Sequence, residues 1–245
     1  MKKRFGAALC LLVSTLALLA LTGCDSGEKK WVLDKQTTYR PDGGVSEIIE
    51  YTYDDKGNAV SMERKNSSGL LEYTTRYEYD ANGNEIMSYQ VDTAGKPIPG
   101  TRKEYDANGQ LTKMDRLDNT GNPLMTERYE YNQEGKISKA IMSYSTGADE
   151  TWSDYEYDAA GNLAKIIKYS ADGETNHYET FEYDSKGNEI RSYTYVKGTV
   201  SYWEEMQYDD ENNMVHRDFY MGEGKSNLTN YAEFSYKKVS VKTAE

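Results

Sequence analysis

Few of the side chains in this sequence can do covalent chemistry. Histidine occurs twice, at His177 and His216, and no Gly-x-Ser-x-Gly segment is present. A serine or cysteine nucleophile needs a base beside it, and two isolated histidines among tyrosines read as surface or packing residues. Acidic residues are abundant, 41 in all. Paired carboxylates could hydrolyse a glycoside, but spacing alone does not separate a pair from that background. The run Asp80-x-Asn82-x-Asn84 sets three oxygen side chains at alternate positions, loosely like a calcium loop. Its glycine is displaced from the calcium pattern, and the sister runs at Asp158 and Asp184 lose the middle oxygen, so a turn-forming aspartate accounts for more copies. No metal or other cofactor is expected.

The remaining candidate surface is phenolic. Tyr51, Tyr77, Tyr129 and Tyr155, each followed two residues later by Tyr53, Tyr79, Tyr131 and Tyr157, would form a regular array of rings and hydroxyls suited to glycans or extended peptides. The competing reading is that these rings are simply the core of a sheet that has no helices to bury.

The array follows from a unit of 26 residues. Tyr-x-Tyr-Asp-x-x-Gly-Asn begins at Tyr51, Tyr77 and Tyr155, with Phe first at Phe181, and degraded copies begin at Lys103, Tyr129, Met206 and Phe234. A fixed period means one supersecondary unit stacked many times. Each unit holds two glycines, one series running from Gly57 to Gly187 and continued by Asn212, the other from Gly43 to Gly224. Asparagine standing in for glycine marks a left-handed backbone position. In Asp80-Ala81-Asn82-Gly83 the aspartate accepts from the backbone two residues on, and the glycine closes a three-residue hairpin loop.

Between turns the residues alternate with period two, as strands do. Pairing Asp80 with Asn84 sets Tyr79 opposite Glu85 and Tyr77 opposite Met87. The same register puts Tyr129 on Lys139, Tyr155 on Lys165 and Phe181 on Arg191. Both turns taken together ask the same residues to bond in two directions, which predicts a bulge or splay in every unit. The expected fold is all-β: tandem 26-residue β-hairpin repeats forming an antiparallel meander of about 14 to 16 strands, open and twisted or curled rather than closed.

The phrase resembles the YD repeat of Rhs and teneurin-type proteins over roughly residues 37–238. The resemblance implies β-hairpins that wind into a hollow shell, and some members of that family engage carbohydrate or cell-surface partners. With a slightly longer period and few units, this chain is expected to share the hairpins without enclosing a cavity.

The N-terminus carries an address. Lys2, Lys3 and Arg4 precede an apolar run from Phe5 to Leu21 and then Thr22-Gly23-Cys24. Such a run is short for a membrane span and reads as a secretory signal. Leu21-Thr22-Gly23-Cys24 is similar to a bacterial lipobox, which implies cleavage before Cys24 and lipid on its thiol. The expected organisation is therefore a signal peptide over 1–23, lipidated Cys24 with a tether over 24–36, and a repeat domain over 37–245. Cys10 lies in the removed segment, so the mature chain has no disulfide to form. The formal charge of -12 becomes more negative once the three leading bases are lost. That argues against nucleic acid as a partner. A lipid-anchored envelope protein with a non-enzymatic binding or scaffold role, its ligand a glycan or protein, is the leading functional reading. A hydrolase acting on envelope glycans through paired carboxylates is the alternative.

Overall fold

The computed structural model describes residues 29–241 except 149 and 176. The lipidation site expected at Cys24 lies outside the described residues. Sixteen antiparallel strands follow one another as hairpins: β1 Lys29–Tyr39, β2 Val45–Tyr53, β3 Ala59–Asn66, β4 Leu71–Tyr79, β5 Glu85–Val91, β6 Pro97–Tyr105, β7 Leu111–Leu117, β8 Pro123–Tyr131, β9 Ile137–Tyr144, β10 Thr151–Tyr157, β11 Leu163–Tyr169, β12 His177–Tyr183, β13 Glu189–Val196, β14 Thr199–Tyr208, β15 Met214–Met221 and β16 Leu228–Ser240.

The sheet is not open. β1 pairs with β16 from Lys29↔Ser240 to Tyr39↔Tyr231, so the meander closes into a barrel. This corrects the open-sheet expectation. Closure also claims part of the expected tether, because Lys29 to Gln36 lies within β1. A sheet edge leaves a row of unpaired donors and acceptors, and joining the two edges satisfies both.

Curvature comes from the bulges. In β4–β5 the ladder runs Glu78↔Met87 and then Tyr79↔Glu85, leaving Ile86 as the extra residue. The same slip occurs beside Tyr53, Tyr105, Tyr131, Tyr157, Tyr183 and Tyr208. Each bulge bends its strand and increases local twist, which is what curling a sheet into a barrel requires. It also moves the register by one. Tyr77 faces Ser88 rather than Met87, Tyr129 faces Ala140, Tyr155 faces Ile166 and Phe181 faces Ser192. In β6 the bulged residue is Gly100, where an added Cβ would lie 2.8 Å from the Ser88 carbonyl oxygen.

The phrase also tells inside from outside. Its middle residue (Thr52, Glu78, Glu104, Glu130, Glu156, Glu182, Gln207 or Ser235) is exposed in every copy, and several of the flanking tyrosine hydroxyls are pushed up by burial. The flanking positions therefore line the lumen. The barrel has two unlike rims. The proximal rim holds the start of β1, the end of β16 and the Asp-x-x-Gly-Asn turns, and the distal rim holds the more varied turns that begin at Arg40, Asn66, Asp92 and Asp118.

Candidate functional site

The Asp-x-x-Gly-Asn turn positions everything that follows it. Asp80 Oδ1 accepts from the backbone N–H of Asn82 at 2.9 Å and of Asn84 at 2.8 Å, and Oδ2 accepts from Asn84 Nδ2 at 2.9 Å. Gly83, at φ 86, closes the loop through its N–H to the Asp80 carbonyl. Asp54 and Asp184 repeat the full arrangement, and Asp158 and Asp209 repeat the bonds from the closing asparagine. The turn thus fills both carboxylate oxygens with N–H donors, and the calcium reading of Asp80 gains no support from it. The asparagine bonds hold the Asp80 and Asp184 carboxyls below the usual carboxylate range.

The two tyrosines of the phrase have different jobs. The second donates its hydroxyl to a backbone carbonyl on the preceding strand. The bonds are Tyr79 to Ala59, Tyr105 to Glu85, Tyr131 to Leu111, Tyr157 to Ile137, Tyr183 to Leu163 and Tyr208 to Glu189, at 2.8 to 3.0 Å. Tyr53 does the same to Leu33 and Tyr236 to Met214. Each accepting carbonyl sits where two hairpins splay apart. The β3–β4 ladder, for example, ends at Ser61↔Arg76, and the Tyr79 phenol bridges the gap beyond it.

The first position forms a ring round the lumen: Tyr51, Tyr77, Lys103, Tyr129, Tyr155, Phe181, Met206 and Phe234. The four tyrosines singled out from the sequence all lie on this wall. Tyr129 donates to Glu127 at 2.8 Å, and Tyr77 meets only the Met62 sulfur at 3.8 Å. Among the described residues, the hydroxyls of Tyr51 and Tyr155 have no protein hydrogen-bond partner. Both side chains are half-buried, so water reaches the wall. The ring is two-sided: phenolic and polar from β2 to β10, apolar from β12 to β16.

A carboxylate group that the phrase does not announce lies on the apolar side. Glu179 is 4% exposed, bound to Lys168 at 2.6 Å and 3.8 Å from His177 Nε2. Glu204 lies 3.9 Å from Arg217. Glu189 makes no ion pair among the described residues, and its carboxyl is pushed up to about 7, first by burial and then by Glu204 and Glu179. Burial, with the nearby Lys168 charge, also lowers the His177 imidazole. Glu189 occupies the place taken by Leu111, Ile137 and Leu163 in three sister hairpins and by Glu85 in a fourth.

The sequence reading also missed an aromatic ladder on the outer wall. Trp152 stacks on Tyr169 at 5.2 Å, Tyr178 on Tyr195 at 4.5 Å, and Trp203 lies between Tyr193 at 5.7 Å and Tyr220 at 4.1 Å. These are cross-strand partners outside the repeated phrase. A cleft of about 270 Å³ opens between Tyr193, Val200 and Trp203 and the loop carrying Glu223 and Lys225.

No family model and no curated protein matches the chain. Solved structures do. A porin-like protein from Bacteroides uniformis ATCC 8492 superposes with a TM-score of 0.52 at 14% identity, over 84% of this chain and 98% of that one. The two share a fold. A porin-like protein from Bacteroides vulgatus ATCC 8482 matches over the same shares of the two chains at 10% identity, with a TM-score of 0.35. The Photorhabdus luminescens Tc holotoxin pore matches at 17% identity with a TM-score of 0.38, over 76% of this chain but 9% of that one. The present chain spans about a tenth of the toxin chains it matches.

Proposed function

We propose that the protein is a lipid-anchored bacterial envelope module that binds rather than transforms its ligand, and that the lumen wall is the binding surface. The observation that carries this reading is the division of labour within the phrase. The second tyrosines are committed to the strand seams, whereas Tyr51 and Tyr155 hold unpartnered phenols on a wall that water reaches. Half-buried rings with free hydroxyls, with Glu47 near Tyr51 and Glu127 near Tyr155, suit the mixed apolar and hydroxylated surface of a glycan or an extended peptide.

The envelope address rests on residues 2–24, which read as a lipoprotein signal ending at Cys24. In this reading the barrel stands beside the bilayer and does not cross it. Its outer wall carries the ion pairs Lys65–Glu63, Lys113–Glu104 and Arg191–Glu182, which a lipid-facing wall would pay for heavily.

A glycan array and an extended-peptide array probed with the chain from Asp25 onward test the proposal. Binding is expected on one of them and is expected to weaken at least tenfold in Tyr51→Phe/Tyr155→Phe with an unchanged melting curve. No hit on either array, or hits indifferent to both substitutions, removes the lumen reading.

One observation favours the hydrolase alternative. Glu189 keeps its proton to about pH 7 beside two other carboxyl groups, a pairing that glycoside hydrolysis uses. Release of reducing sugar from cell-wall glycan that disappears in a folded Glu189→Gln variant would favour the enzyme.

A further inference from the structure

The described residues hold no cysteine, so no disulfide fastens the seam where β1 meets β16. Another pair of oxidisable side chains stands there. Tyr39 and Tyr231 face each other across the outer side of that seam, with ring centroids 4.9 Å apart and planes 14° from parallel. His216 backs the Tyr231 ring at 5.5 Å and is itself held by Asp218 at 3.0 Å. The Tyr39 hydroxyl donates to Glu233 at 3.3 Å, and Glu233 is exposed to water. A cleft of about 200 Å³ bordered by Thr37, Tyr39 and Glu233 leaves the Tyr39 ring room to turn.

We infer that Tyr39 and Tyr231 form an oxidative cross-linking site, joined as dityrosine by a haem peroxidase using hydrogen peroxide, with Glu233 receiving the Tyr39 proton. Each phenol gives up one electron and one proton. The two phenoxyl radicals bond through the ring carbons beside their oxygens. The hydrogens on those carbons then pass to the oxygens, which restores both phenols. One peroxide takes the two electrons and two protons and leaves as two waters.

The surroundings select this pair. Among the described residues, Tyr178 and Tyr195 are the other two tyrosines that stack, at 4.5 Å, and Lys165 sits 4.8 Å over the Tyr178 ring. A cation over the ring face opposes the loss of an electron, whereas Tyr39 has a carboxylate at its hydroxyl. The tilted pairs Tyr51–Tyr53 and Tyr193–Tyr195 lie wider, at 6.5 and 6.4 Å. Tyr39 ends the first strand and Tyr231 lies in the last, so the bond closes a loop spanning nearly the whole barrel. A cross-link across so long a loop restricts the unfolded chain strongly. None of this depends on the lumen as a binding wall.

Treating the full chain with hydrogen peroxide and a haem peroxidase tests the inference. Digestion and mass spectrometry should find peptides joined through Tyr39 and Tyr231, two hydrogens lighter than their sum, as the main linked product of the monomer. Dityrosine fluorescence of the monomer should fall at least fivefold in Tyr39→Phe and stay unchanged in Tyr178→Phe. Glu233→Gln should slow its growth at least threefold, and the linked parent should melt at a higher temperature than the untreated one. If Tyr39→Phe fails to fold, the peptide map of the unaltered chain decides alone. A map dominated by another pair or by links between chains, no link at all, or a rate indifferent to Glu233→Gln overturns the inference.

Discussion

Glu85 is held twice by one strand: the Tyr105 hydroxyl donates to its carbonyl at 2.9 Å, and Lys103 pairs with its carboxylate at 3.0 Å. The same two positions in a later unit are Tyr208 and Met206, set against Glu189. The backbone bond is kept and the cation is gone. A carboxyl left half-buried without its lysine is pushed toward protonation, as Glu189 is.

That comparison predicts a pH dependence. The folded pKa of Glu189, about 7, lies above the unfolded value of 4.5. Its contribution is therefore fully present below about pH 4.5 and lost as pH rises through 7. Glu189→Gln should raise stability at pH 8 by about 1–2 kcal/mol, discounted for water in the lumen, and Met206→Lys should flatten the same limb by restoring the pair. Urea titrations at pH 5 and pH 8 measure both. Equal slopes in the parent and Glu189→Gln would refute the assignment.

The seam and the lumen tyrosines should separate on removal of one oxygen. Tyr79→Phe deprives the Ala59 carbonyl of its donor and should cost about 1 kcal/mol. Tyr155→Phe removes a hydroxyl with no protein partner and should leave the denaturation midpoint unchanged. Equal losses at the two positions would contradict their different roles.

The proximal turns predict an acid limb. Hydrogen bonds hold Asp80, Asp158, Asp184 and Asp209 below the usual carboxylate range. Their contribution is present above the unfolded value of about 3.9 and lost as pH falls through the lower folded values. Asp80→Asn should shrink that loss and lower the melting temperature at neutral pH. An unchanged acid profile would show that the turn bonds add nothing in water.

The β13–β14 turn is the one two-residue hairpin among those described, with Lys197 at φ 52 followed by Gly198 at φ 79. Two positive φ angles define a turn that prefers Asn-Gly. Lys197→Asn should therefore stabilise the fold by about 0.5–1 kcal/mol, visible as a higher thermal midpoint.

Much of this architecture was written in the repeat. Asp80 to Asn84 announced the turn, and Tyr79 opposite Glu85 was correct because that pair adjoins the loop. A count along the strand puts Tyr77 on Met87, because counting cannot place the extra residue, although the need for one is legible. Closure was not legible, since β1 carries no copy of the phrase and gives no sign of its partner. Within the wall, Tyr51 and Tyr155 were marked by the period, but no rule of spacing says which hydroxyl finds a carbonyl. Glu189 was missed because its meaning depends on Met206, which lies on the neighbouring strand.

The pairing of β1 with β16 brings the beginning and the end of the described chain together at the proximal rim. A short linker could join them and a new start be cut at another turn, giving circular permutants with the same wall. Deleting a single hairpin is a different operation. It leaves a ring one unit short, whose last strand must reach the first across a changed circumference, so tolerance of rotation and intolerance of omission should go together.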